Sequence, residues 1–413
     1  MKKIFYTLLA ATLLLVVGCS KDEGPQPPKH NEQTLLMYFP WSSNLTSFFL
    51  TNICDMADVL ERGTAGNYRV LVYLMQNANE GELFELLGHK AGKDQTVTMN
   101  NIDTRSIAKF DKPAFTTAEG IASILSAAKS AAPADRYAMS IGCHGMAWLP
   151  ADPNAGLAEP KMAPLMSTEQ DYWEHLGPDG LPITRWFGAS EEKYRADVST
   201  LAQALELANL HLEYILFDDC YMSSIEVAYE LRKVTDHLIA SPNEIMAYGF
   251  PYARCGEFML GTPDYRAICQ TFYDFYIVYV DNYGISRPYG TIAMTNCDQL
   301  EALADVVKRI NAVSDPASVN LAYLQRMDGY NPTRFFDLGD YVRTLCSDDA
   351  LEREFEQQLE RTIPSSCRRH TPQFYTSSGP VTIHTYTGVT TSDPSISNNT
   401  AEKTKTSWWR ATH

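Results

Sequence analysis

EYILFDDCYMSSIEVAYEL, residues Glu213 to Leu231, changes character twice. Tyr214 to Phe217 is a continuous apolar run and reads as a strand buried on both faces. Polarity returns at Asp218 and Asp219, and Cys220 follows. Ser223 and Glu226 have the spacing of a capping box ahead of Ile225, Val227, Ala228 and Leu231, so a helix is expected to open at Ser223. That places Cys220 in a strand-to-helix turn, near unpaired helix N–H groups that favour a thiolate. A buried structural cysteine has no need of such a setting. The position suits a nucleophile, and a buried inert thiol is the alternative.

The flanks repeat the strand–helix alternation. Thr34–Phe39, Tyr68–Met75, Arg136–Gly142 and His237–Ala240 are short apolar runs that read as strands. Phe48–Leu60 and Val198–Leu207 are helical in pattern, the latter capped by Asp197 or Ser199. Thr116 with Glu119 is a second capping-box spacing, opening a helix that runs to Ala131. Leu83 to Asn100 reads as a hairpin or small excursion. The expected fold class is α/β, with a mostly parallel central sheet flanked by helices. Residues 149–195 break the pattern, with prolines, glycines and unperiodic aromatics, as a functional or exposed connection does. Beyond 256, Tyr265–Tyr279, Leu300–Val313 and Leu351–Ile363 read as helices, Gly290–Met294 as a strand, and Phe335–Tyr341 as the opening of another helix. From Thr371 the chain is rich in Thr and Ser, with Val381–His384 as a strand and Trp408-Trp409 as a packing anchor.

The chain has 413 residues and a formal charge of −16, with a pI near 5.0. That balance argues against nucleic acid and anionic surfaces as partners and favours cationic peptides. Lys2 and Lys3 precede an apolar run, Ile4–Val17, too short for a stable membrane span. Val16-Val17-Gly18-Cys19 resembles a bacterial lipobox, which implies a lipoprotein signal over 1–18 and a lipidated Cys19. Ser20-Lys21-Asp22-Glu23 resembles the acidic tag of surface lipoproteins in the Bacteroidetes. The expected place is the outer membrane, at the cell surface or on the periplasmic side, held by the acyl chains. An ordinary secretory signal or a lone anchor helix is the alternative. Residues 19–33 read as a linker, with three prolines between Gly24 and Lys29. Export makes disulfides permissible among the remaining cysteines, and spacing does not fix a pattern. No C-x-x-C pair, H-E-x-x-H, phosphate loop or EF-hand pattern is present, so no metal or other cofactor is expected.

Two residues stand at equivalent strand ends, His144 after Arg136–Gly142 and Cys220 after Tyr214–Phe217. In an open α/β sheet that edge carries ligands and catalysis. A cysteine nucleophile needs an acid–base partner, which histidine supplies. Gly145 lets a substrate carbonyl approach the backbone, and its N–H, with that of Cys220, suits an oxyanion hole. Taken singly, each residue also reads as structural. His384 is a weaker candidate, because no small-residue turn follows it.

SIGCHGMAW (Ser140–Trp148) and ILFDDCYMSSIEVAYEL (Ile215–Leu231) resemble the two catalytic blocks of the clostripain family of cysteine peptidases, of the caspase, gingipain and legumain clan. Ala240-Ser241-Pro242-Asn243-Glu244 and Gly249-Phe250-Pro251-Tyr252 resemble its next strand and substrate-side loop. The resemblance covers Thr34 to Tyr252 and is loose beyond. It implies a caspase-like sandwich over 34–255, with 149–195 as an insertion, and a C-terminal α+β subdomain over 256–413. It implies an endopeptidase, a monomer, cutting protein or peptide substrates after Arg or Lys. His144 and Cys220 fall on the family dyad, and Asp218, two residues before the nucleophile, on the acid that selects a basic P1 side chain. Asp219 departs from the small residue usual there; it either raises the Cys220 thiol by like-charge repulsion or points away. The family is often made as a zymogen, which makes Lys161 and Arg185, with Lys193 and Arg195 nearby, candidate processing sites. Some relatives use calcium, though no segment here locates it. The rival reading is a caspase-like surface lipoprotein that has lost catalysis and binds peptides or glycans; a cysteine-dependent transferase is a third.

Overall fold

The alternating runs are realised as a three-layer sandwich in the computed structural model, which describes residues 30–42, 44–63, 66–149, 187–189, 191–281 and 283–413. Nine strands form the middle layer. In chain order they are β1 (Asn31–Phe39), β2 (Tyr68–Asn77), β3 (Glu80–His89), β4 (Ile102–Asp111), β5 (Ala134–Gly142), and, after the two-residue pair β6 (Phe187–Gly188) and β7 (Arg195–Ala196), β8 (Tyr214–Asp218), β9 (His237–Ala240) and β10 (Thr291–Asn296). Past β11 (Phe336–Asp337), β12 (Arg368–His370) completes the sheet. The spatial order is β12-β10-β9-β8-β5-β1-β2-β3-β4. The five central strands β2, β1, β5, β8 and β9 are parallel. Antiparallel strands extend the sheet on both sides. From β1 the chain first adds β2 on one side and later β5 on the other, so the sheet's topological switch lies between β1 and β5.

Alternation along each central strand sends successive side chains to two separate cores. Leu36, Tyr38, Met139, Ile141, Ile215 and Phe217 face one. Leu35, Met37, Phe39, Ala138, Tyr214 and Leu216 face the other. Because helices cover both faces, the strands are apolar at nearly every position, which is why they read as continuous runs. The first core is closed by α2 (Ala118–Ala131), α3 (Val198–Leu207), α4 (Ile225–Leu231), α7 (Leu300–Val313), α8 (Leu338–Leu345), α9 (Asp349–Thr362) and α10 (Ser407–Thr412). The second is closed by α1 (Thr46–Arg62), α5 (Tyr252–Met259) and α6 (Tyr265–Tyr276). Two further antiparallel pairs, β13 (Gln373–Thr376) with β14 (Gly379–Thr382), and β11 with β15 (Thr390–Thr391), lie outside the main sheet.

Several boundaries differ from the sequence reading. The cap of α2 is Thr117, not Thr116; its side chain accepts the Gly120 N–H at 3.1 Å. The excursion after β2 is a full meander, β2-β3-β4, whose last strand is half exposed and so lacks the apolar run that marks the others. The strand expected over Val381–His384 ends at Thr382, so His384 lies outside it. Trp408 is fully buried, as a packing anchor requires, with Nε1 donating to Asp393 Oδ2 at 3.1 Å. None of the eight described cysteines is in a disulfide. Cys19, Lys161 and Arg185 lie outside the described residues. Arg195 is buried in β7, out of reach of a protease, while Lys193 is exposed. Among the described residues no helix is long and apolar enough to cross a membrane.

Candidate active site

The register of β5 against β8 brings the two expected site residues to one edge. Gly142 pairs with Asp218, so His144 and Cys220 each follow two residues past a matched pair at the carboxyl ends of neighbouring parallel strands. The two turns touch: a Cβ built on Gly145 would stand 2.6 Å from the Cys220 carbonyl oxygen and 2.8 Å from Asp219 Cβ. Only a glycine allows that approach. The His144 backbone is fixed from its other side by a two-way pairing with Gly188, both N–H···O distances being 3.0 Å. Its ring Nε2 lies 3.1 Å from Asn44 Oδ1. Asn44 sits in the turn between β1 and α1, at the topological switch. Nothing in the sequence singled it out beyond its place in a polar turn after an apolar strand.

Strand alternation separates the two aspartates. Asp218 falls on the α1 side, where Asn52 Nδ2 donates to its Oδ2 at 3.2 Å. It is only 7% exposed, and its Oδ1 has no hydrogen-bond partner. Burial pushes its carboxyl up to about 7. Above it lies Gly249, with φ +77°, where a Cβ would come within 2.9 Å of both carboxylate oxygens. Asp219 falls on the opposite face and is 1% exposed. It accepts the Cys143 N–H at 2.5 Å and faces the Cys143 thiol at 3.4 Å. Burial, helped by the nearby Asp218, holds this carboxyl well above the ordinary range, against the opposing pull of the bonds from the Cys143 N–H and thiol. Asp219 therefore points away from the Cys220 sulfur and ties the nucleophile-side turn to the residue before His144.

The setting of Cys220 differs from the expected one. Helix α4 opens at Ile225, and no side chain caps it. Ser223 Oγ donates to the Gly388 carbonyl at 2.7 Å, and Ser224 Oγ donates to Glu226. Glu226 in turn accepts the Ser392 N–H at 2.7 Å. The capping box is absent because a C-terminal segment, 388–392, takes both of its partners. The amide hydrogen aimed at the sulfur belongs to Ile245, with Ile245 N 3.3 Å from Cys220 Sγ. Between the sulfur and the helix stands Tyr221 at φ +63°. A left-handed backbone at a residue with a bulky Cβ substituent costs about 1–2 kcal/mol and marks a turn that its surroundings enforce. The thiol of Cys220 is partly exposed, unlike those of the other described cysteines, all buried. Among the described residues no group of three or more His, Cys, Asp or Glu side chains is placed to hold a metal ion.

A model of the clostripain family matches residues 173–352, which contain Cys220 but not His144. A secreted C11 cysteine protease from Bacteroides thetaiotaomicron is 43% identical, covers 94% of this chain and 100% of its own, and superposes with a TM-score of 0.78. A clostripain from the same organism, solved in complex with the peptide inhibitor BTN-VLTK-AOMK, is 49% identical over 55% of this chain and 99% of its own, with a TM-score of 0.52. An inactive zymogen C11 protease from Parabacteroides distasonis shares the fold at 22% identity, over 94% of this chain and 99% of its own, with a TM-score of 0.71. No curated protein matches the chain.

Proposed function

The chain belongs to the clostripain family of cysteine peptidases, and from that premise we propose that it is an endopeptidase with a His144–Cys220 dyad. The Cys220 sulfur attacks the scissile carbonyl and forms the C–S bond. His144 gives a proton to the amine as the C–N bond breaks, and water then releases the acid product from the thioester. With Nε2–H donated to Asn44, Nδ1 is the nitrogen that handles that proton. The N–H groups of Gly145 and Cys220 stabilise the oxyanion. The single observation that carries this reading is the matched register of β5 and β8, with the Gly145 and Cys220 turns in contact.

Asp218 is the P1 selector in this reading. A buried carboxylate whose Oδ1 lacks a partner suits a guanidinium or ammonium group arriving beneath the Gly249 turn. The relative bound to an inhibitor carrying VLTK, a peptide ending in lysine, supports the same preference. The chain would be exported, lipidated at Cys19, held to the outer membrane and processed at Lys161 or Arg185. With Asp219 turned toward Cys143, the feature that favoured a non-catalytic lipoprotein loses its weight.

The test is hydrolysis of fluorogenic peptides with Arg, Lys, Asp, Asn or Leu at P1, wild type beside Cys220→Ala, with intact mass taken on the same samples. Cleavage after Arg or Lys that vanishes in the variant is the expected result. Cleavage after another residue keeps the dyad and discards Asp218. No turnover, before or after trypsin nicking, discards the peptidase.

A further inference from the structure

Cys220 Sγ meets both main-chain polar groups of one residue, accepting from Ile245 N at 3.3 Å and lying 3.9 Å from Ile245 O. Ile245 is in a loop after β9, and the bonds that fix this loop come largely from the residue next to the cysteine. Tyr221 N donates to Asn243 O at 3.0 Å, and Tyr221 Oη donates to Glu244 Oε1 at 2.5 Å. The phenol is almost fully buried, with its ring 5.3 Å from that of Phe335 and 6.3 Å from that of Tyr330. Its backbone is left-handed, with φ +63°, and its side chain reaches the 243–245 loop. Asn243 is held from behind, its Nδ2 donating to Met327 O at 2.6 Å. Cys220–Tyr221 and 243–245 thus form a closed ring of contacts with the reactive sulfur at one corner.

We propose that Tyr221 and Glu244 are positioning residues for the nucleophile: their hydrogen bond holds the Ile245 N–H on the Cys220 sulfur and so favours the thiolate. An N–H aimed at sulfur stabilises its charged form over its neutral one. The strained turn at Tyr221 is what lets one residue carry both the main-chain and the phenol contact to the loop. This inference rests on Cys220 being the nucleophile.

The test is the pH profile of Cys220 alkylation by iodoacetamide, read by mass spectrometry of the Cys220 peptide, with peptide hydrolysis measured alongside. Tyr221→Phe keeps the ring packing and loses the bond to Glu244. Its alkylation midpoint is expected to rise by about half a pH unit to one unit, and kcat to fall about tenfold with KM unchanged. Glu244→Ala is expected to do the same, while Glu244→Gln, which retains an acceptor for the phenol, recovers most of the wild-type midpoint. A lowered melting temperature with an unmoved midpoint in Tyr221→Phe overturns the proposal, because a purely structural tyrosine behaves that way. If the midpoint moves but the wild type cleaves no peptide, the clamp stands and the peptidase reading falls. If peptides are cleaved and the midpoint stays put, the clamp falls alone.

Discussion

Gly145→Ala tests the contact on which the site is built. The added Cβ would sit 2.6 Å from the Cys220 carbonyl oxygen, 2.8 Å from Asp219 Cβ and 3.1 Å from Met222 Cγ. Carbon atoms settle no closer than about 3.5 Å, so the Asp219 contact alone is short by about 0.7 Å. The first two atoms belong to the main chain or to a Cβ fixed by it, so no rotamer change relieves the overlap, and the two turns must part. A displacement approaching 1 Å between reacting groups costs about 100-fold in rate. We expect kcat/KM for an Arg peptide to fall by roughly 30- to 100-fold, and overpacking to lower stability by about 1–3 kcal/mol. The assay is steady-state hydrolysis together with urea unfolding. A variant with kcat/KM within about threefold of wild type and an unchanged unfolding midpoint would refute the reasoning, since the turns would then have room to spare.

Asn44→Ala is expected to lower kcat about tenfold at constant KM by releasing the His144 ring, worth roughly one hydrogen bond; a change confined to KM would contradict this. Trp408→Ala is expected to cost about 3–5 kcal/mol in urea unfolding, because it empties a fully buried site and strips Asp393 of a donor. Stability should also depend on pH. Burial pushes Asp218 and Glu244 up to about 7, and Asp55 and Asp328 up to about 6. Between the ordinary carboxylate range and about 7 the folded chain keeps protons that the unfolded chain has lost, so stability falls as pH rises through that window. The urea midpoint is expected to be higher near about pH 5 than near about pH 7.5, flattening above; a midpoint that climbs over this range counts against the buried acids.

Much of this was legible because strand burial writes itself into sequence. Tyr214–Phe217 and Arg136–Gly142 are apolar on both faces, and the polar residues at their ends named His144 and Cys220. Strand β4 was missed for the converse reason: Ile102–Asp111 faces solvent along much of its length and carries Arg105, Ser106 and Lys109. The misread cap shows a second limit. Ser223 and Glu226 have local spacing for each other, yet Gly388 and Ser392, far along the chain, take them instead. Ile245 N–H and Asn44 were invisible for the same reason. A backbone amide has no sequence signature, and an asparagine in a turn differs from other turn residues only once the fold closes over it.

The order of the sheet also decides how the protein meets its neighbours. Among the described residues its open margins are β4 on one side and β12 on the other. An exposed margin offers unpaired main-chain groups to any passing strand, which is how many folded proteins begin to aggregate. Here β4 carries Arg105 and Lys109 together with Asp103 and Asp111. The three residues of β12 are Arg368, Arg369 and His370, with Arg368 drawn to Glu360 at 3.0 Å and Arg369 to Gln270 at 2.7 Å. Charged side chains line both seams, of both signs on β4 and positive on β12. A second copy approaching seam to seam would have to strip water from these charges before its strand could pair.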